Sequence, residues 1–175
     1  MTAVYVHIPY CKSKCPYCDF DSTLLDKSLS KYLYCLGLEI AGRRAEISTV
    51  ETLYVGGGTP TVLSAEDIEW LLYLLREQLP VSRDAEVTVE ANPGTLTRAK
   101  VSALAEGRAN RVSLGAQSFV ETELSLLGRT HTVSDIAKSV SLLRAWAIEN
   151  ISLDLIYGTP NQTMETWRES LERAL

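Results

Sequence analysis

The chain has 175 residues, 46% of them hydrophobic, enough to fill one core and bury roughly 70% of the surface an unfolded polypeptide exposes. Its formal charge is −5, with 17 Lys and Arg against 22 Asp and Glu, so it lacks the basic footprint of a phosphate-backbone binder and nucleic acid is not an expected partner. The longest apolar run, Trp70 to Leu75, is too short to span a bilayer, and Met-Thr-Ala-Val-Tyr lacks the basic head of a signal peptide; this predicts a cytoplasmic chain whose clustered thiols are metal ligands or catalytic groups, not disulfide partners.

In chain order, a β-branched run near Val4 to Ile8 predicts the first strand, and a long connection from Pro9 to about Lys27 carries Cys11, Cys15 and Cys18. Ser28 to Ile47 follows as a helix, with Leu29, Tyr32, Leu33, Leu36 and Ile40 on one stripe and Cys35 expected among the buried core residues. Glu51 to Gly56 is the second strand, and Ser64 is placed to cap a helix carrying Ile68, Leu71, Leu72 and Leu75. Strands at Glu86 to Ala91, Arg111 to Gln117 and Ile151 to Tyr157 come next, each followed by a helical pattern. Alternation of this kind calls for a parallel sheet with right-handed crossovers.

Strand parity separates a doubly wound sheet from a barrel, because strands covered on both faces read as nearly continuous aliphatic runs. Here Val4, Val6 and Ile8, Leu53 and Val55, Val87 and Val89, Val112 and Leu114, and Leu153 and Leu155 share one parity. The other parity holds His7, Tyr54, Gly56, Thr88, Glu90, Ser113, Gln117 and Asp154. One greasy face and one polar face predict a partial (β/α) barrel whose chemistry sits at the C-terminal strand ends. Five βα units do not close a barrel, and the open edge they leave predicts that residues 1–175 are one core domain cut short at its C-terminal side.

The thiol loop carries the strongest chemical signal. Cys11, Cys15 and Cys18 stand at x3 then x2 spacing, with no fourth cysteine beside them. A structural zinc or an electron-transferring iron-sulfur cluster normally closes its shell with four protein ligands, so three thiolates leave one metal corner open to a substrate. A zinc-stabilised binding module completed by His7 or Cys35 is the alternative from another functional class. Gly56, Gly57 and Gly58 at the end of the second strand would let the backbone approach a ligand and expose its N–H groups. Glu90 and Asp154 are carboxylates in otherwise aliphatic strands and need a cationic or hydrogen-bonding partner. Gln117 and Arg129 are suited to orient a carboxylate or ribose, and His7 reads as a structural hydrogen-bonder.

The segments YVHIPYCKSKCPYCDF, YVGGGTPT, VEANPGTLT, NRVSLGAQSF, LGRTHT and DLIYGTPNQT, spanning Tyr5 to Thr163, resemble the radical S-adenosylmethionine (SAM) family. The specific resemblance is to the oxygen-independent coproporphyrinogen III oxidases and the related radical SAM haem chaperones. It implies that Cys11, Cys15 and Cys18 hold three irons of a 4Fe-4S cluster whose fourth iron is chelated by SAM. It further implies that Tyr5, Gly57 and Glu90 contact that SAM, and that Tyr17, Gly58, Thr59, Gln117, Arg129 and Asp154 match the positions holding a second SAM in the oxidase. The implied chemistry is one-electron cleavage of SAM to methionine and a 5'-deoxyadenosyl radical, which in the oxidase abstracts hydrogen from a porphyrinogen propionate before decarboxylation. The oxidase has a further cysteine two positions after the third cluster ligand. Phe20 stands there in this chain, as in the chaperones. Haem or a porphyrinogen, a flavodoxin or ferredoxin-type reductant and a haem-receiving protein are the partners the resemblance implies.

Overall fold

A computed structural model describes residues 2–175. Five strands, β1 (Thr2–Ile8), β4 (Val50–Gly57), β5 (Val81–Ala91), β6 (Arg111–Gln117) and β7 (Asn150–Leu155), form one sheet in that spatial order. Every neighbouring pair is parallel. Helices α1 (Leu29–Arg43), α2 (Ala65–Gln78), α3 (Arg98–Glu106), α4 (Glu121–Leu126) and α5 (Val133–Ala145) lie in the crossovers, and α6 (Met164–Ala174) follows β7. Each strand is added beside the one before it, so the sheet grows in one direction as a barrel wall does.

The parity rule explains where the core sits. Val6, Ile8, Leu53, Val55, Val87, Val89, Val112 and Leu114 are buried with Leu71, Leu72 and Leu75 of α2, Val101 and Leu104 of α3 and Ile136 and Leu143 of α5. Each such side chain contributes on the order of 1.5–3 kcal/mol by leaving water. Helix starts are fixed by capping side chains: Ser64 Oγ accepts from the Asp67 amide at 3.0 Å, and Thr132 with Asp135 and Thr163 with Thr166 form reciprocal capping boxes.

Several element boundaries differ from expectation. α1 ends at Arg43 and tightens into a 3-10 turn at Arg44–Glu46, four residues short of Ile47 as a helix end. β5 begins at Val81, because Val81 pairs with Val50 across a register shift that the sequence pattern does not reveal. β7 stops at Leu155, two residues before Tyr157.

Cys35 is exposed, not buried. It lies two residues beyond Leu33, which a period of about 3.6 residues turns toward the opposite side of α1.

The connection after β1 contains a parallel pair the sequence did not foretell, β2 (Tyr10–Cys11) with β3 (Thr23–Leu24). The Thr23 amide donates to Pro9 O at 2.7 Å and the Leu25 amide to Cys11 O at 3.0 Å. These rungs tie together the two ends of the loop that carries the thiols.

Candidate metal and cofactor site

Cys11 stands on β2 at the mouth of the loop, and Cys15 and Cys18 follow in a tight turn closed by the Cys18 amide on Cys15 O at 3.1 Å. All three are free thiols of intermediate exposure, bordering one small cavity with Gly58, Thr59, Asn92, Thr95 and Arg129. Two side chains address the sulfurs: Thr59 Oγ1 donates toward Cys11 Sγ at 3.7 Å, and Arg129 Nη1 lies 3.5 Å from Cys15 Sγ. Gly128, at φ +67°, turns the chain into Arg129, and a Cβ there would lie 2.6 Å from Pro16 Cδ. Only glycine lets that turn rest against the Pro16 ring.

Among the described residues, no group of three or more His, Cys, Asp or Glu converges closely enough to hold a single metal ion. A lone zinc needs four ligands at about 2.0–2.3 Å from one point, and the residues nominated to complete it are elsewhere engaged. His7 Nε2 is 2.8 Å from Asp21 O and its Nδ1 is 3.0 Å from Tyr5 Oη, while Cys35 faces outward on α1. His7 is thus a structural hydrogen-bonder, as its position in the strand suggested.

The glycine turn works differently from expectation. Its N–H groups are not free: the Gly57 amide donates to Glu90 Oε2 at 3.0 Å, Gly58 to Ile8 O at 2.8 Å and Thr59 to Tyr10 O at 2.8 Å. What the turn supplies is closeness. A Cβ on Gly58 would lie 2.9 Å from Cys11 Sγ and 2.7 Å from Tyr10 O, and one on Gly57, at φ +117°, would meet the His7 ring at 2.8 Å. The turn is therefore a seat for the thiol loop and not an anion cradle.

Beside the thiols, a second cavity of about 270 Å³ opens over the C-terminal strand ends. Tyr17, Gly57, Gly58, Thr59, Glu90, Gln117, Arg129 and Asp154 all line it, with Cys18 on the side shared with the thiol cavity. Tyr5 does not; it is exposed on β1, stacked on Tyr54 with ring centroids 5.9 Å apart. Both carboxylates have hydrogen-bond donors. Tyr54 Oη donates to Glu90 Oε1 at 2.8 Å, and Ser113 Oγ donates to Asp154 at 3.0 Å. Burial and the Glu90 carboxylate push the Tyr54 phenol well above its ordinary value, so it stays a neutral donor. Asp154 is more solvent-exposed than its aliphatic neighbours implied, because β7 is the edge strand of the sheet.

Several lining residues were not singled out as site residues from sequence. Asn92, Ser113 and Gly115 face the larger cavity, and Gly128 packs under the thiol loop. Gly115 leaves room for two neighbours, since a Cβ there would lie 2.8 Å from Gln117 Nε2 and 3.3 Å from Arg129 Nη2. The available signal was position: these residues sit in the ANPG, SLGAQ and LGR runs at strand ends and a turn.

Residues 5–174 match the family described as the radical SAM superfamily. The chain belongs to that superfamily. Among curated radical SAM relatives, the haem chaperone HemW of Lactococcus lactis is 42% identical over 99% of this chain and 45% of its own length. HemW of Synechocystis is 38% identical over 99% of this chain and 44% of its own. The solved coproporphyrinogen III oxidase HemN of Escherichia coli, described as a radical SAM enzyme, superposes with a TM-score of 0.90 at 32% identity, covering 98% of this chain and 40% of that one. The chain spans somewhat under half the length of these relatives, and the partial parallel barrel is the part it shares with the solved oxidase.

The radical SAM cofactors are consistent with these residues. Three free thiols on one loop can supply three iron corners, thiolate is the ligand type iron-sulfur clusters take, and Gly58 lets the loop at Cys11 pack closely against the glycine turn. The adjoining cavity, with carboxylates at Glu90 and Asp154, complements a cationic ligand.

Proposed function

We propose that residues 1–175 form the core domain of a haem-chaperone-type radical SAM protein acting in porphyrin or haem metabolism in the cytoplasm. The observation that carries this reading is the junction of three free thiols with a carboxylate-lined cavity across Cys18, Gly58, Thr59 and Arg129. Identity to haem chaperones over 99% of the chain supports the chaperone assignment, as does Phe20, which occupies the position of the oxidase's additional cysteine. No helix among the described residues is long and apolar enough to cross a membrane.

Cys11, Cys15 and Cys18 would hold the cluster, and Tyr5, Gly57 and Glu90 the SAM bound to it. Tyr17, Gly58, Thr59, Gln117, Arg129 and Asp154 would border a second SAM or the haem-side ligand. When bound, the cluster and SAM together supply one-electron reductive cleavage of a carbon–sulfur bond. The chain's own contribution is placement and exclusion. Glu90, fixed by Tyr54 and by the Gly57 amide, is held as a stationary negative charge that orients a cationic ligand without reorganising. Tyr17 and Phe20 stand at the border of the cavity and would shield a bound ligand from water. A flavodoxin or ferredoxin-type protein would deliver the electron, and haem with a haem-receiving protein would complete the cycle.

Anaerobic reconstitution with iron and sulfide tests the site: a reduced-state EPR signal that moves on adding SAM is expected, and protein that takes up one zinc and no sulfide would sink the reading. The oxidase is the second reading, favoured by the fold match at a TM-score of 0.90. Protein of the relatives' full length, assayed on coproporphyrinogen III, separates the two: haem binding without vinyl formation is the chaperone result.

A further inference from the structure

We infer that Arg129, beyond lining the cavity, sets the reduction potential of a cluster held by the cysteine loop by donating a charged hydrogen bond to the Cys15 thiolate. The inference rests on the cluster-binding reading above and adds a role for one residue within it. Its basis is the way Arg129 is fastened. Nη2 donates to Gly115 O at 3.0 Å, and Nη1 lies 3.3 Å from Tyr17 Oη and 3.5 Å from Cys15 Sγ. Gly115 has no side chain to obstruct the guanidinium, and Gly128 brings the preceding turn against Pro16. One arm of the fork is held by the Gly115 carbonyl, and the other lies between the Tyr17 hydroxyl and the Cys15 sulfur.

Charge makes the aim consequential. Among the described residues no carboxylate pairs with Arg129, and its Nε is buried without a partner. Arginine keeps its charge at any relevant pH, and a partly buried cation without a counter-ion is costly. A ligating thiolate at Cys15 supplies the missing negative partner. Adding an electron to a cluster adds negative charge, and hydrogen bonds and net charge around the sulfurs are among the factors that set iron-sulfur potentials. A fixed cation beside Cys15 favours the reduced form and so raises the potential, which eases electron uptake from a modest reductant.

The test is an EPR-monitored redox titration of the reconstituted chain without SAM, so that any role of Arg129 in binding SAM does not enter. Arg129→Gln should retain iron and sulfide but shift the midpoint to more negative potential by about 59 mV, a tenfold change in the oxidised-to-reduced ratio of a one-electron couple. Arg129→Lys, which keeps the charge but cannot reach Gly115 O and Cys15 together, should shift it less in the same direction. Midpoints equal to wild type in both variants overturn the inference while leaving the cluster site standing. If neither variant holds a cluster, the wild-type protein decides: reduced clusters exchanged into D2O should show a deuteron coupling by pulsed EPR, and its absence overturns the inference. A wild-type chain that takes up no cluster overturns the proposed function itself, and this role with it.

Discussion

Gly58 is the residue on which the thiol loop rests, and the space above it is already full. Replacing it with alanine places a methyl group 2.9 Å from Cys11 Sγ and 2.7 Å from a backbone oxygen that cannot swing aside. Gly58→Ala should cost about 1–3 kcal/mol of stability through overpacking and reduce iron uptake on reconstitution, checked by urea unfolding and iron analysis of the same preparation. His131 gives a pH dependence. It is buried between Asn92 and Ala116 O, and burial, with the nearby Arg129 charge, holds its imidazole below the ordinary 6.5. The unfolded chain therefore takes up this proton first. The stabilising effect of a neutral His131 is complete above the unfolded value and is lost as pH falls through the lower folded value. Urea midpoints between about pH 7.5 and 4.5 should decline toward acid, and His131→Gln should flatten that decline. The three cysteines, Glu90 and Asp154 were legible because thiols at fixed spacing and charges inside aliphatic strands are local anomalies. The occupied N–H groups of the glycine turn were not, because their acceptors lie far off in sequence, at the end of β1 (Ile8 O), on β2 (Tyr10 O) and on β5 (Glu90 Oε2).

Among the elements, α2 shows most directly how sequence determines a boundary. Ser64 is in extended conformation and its hydroxyl takes the Asp67 amide, while Glu66 and Asp67 place negative charge in the first turn. Ser64→Ala should lower stability by about 1 kcal/mol and loosen the first turn of α2, read as faster amide exchange at Asp67 and Ile68. Strands β1, β4, β5 and β6 were legible from parity, because each buries one face against helices and turns the other inward. The two-residue strands β2 and β3 carry no period to detect. They form because the loop returns to β1, a tertiary event. Cys35 illustrates the reverse: the helical pattern places it among the core residues, whereas the buried side of α1 is defined by Leu33 and Ile40.

For the molecule as a whole, the parallel order leaves β7 at one edge, and the last helix is anchored by polar contacts rather than by apolar area alone. Ser170, fully buried on α6, accepts from the Phe119 amide at 3.1 Å, and Arg173 donates to Phe119 O at 3.2 Å while lying over the Phe119 ring. Ser170→Ala would strand a buried amide, costing about 1–3 kcal/mol, and α6 should then exchange its amides ahead of the sheet. Hydrogen-exchange mass spectrometry distinguishes this local release from a uniform loss of stability.

The rungs Tyr10–Thr23 and Cys11–Leu24 have a consequence for assembly. A ring of polypeptide pinned at its neck has already lost much of its conformational freedom before any iron arrives. Less of the binding free energy of a cluster seated there would then go into ordering the strap. Loss of such a cluster to oxygen would still leave the strap closed at its neck by these two rungs.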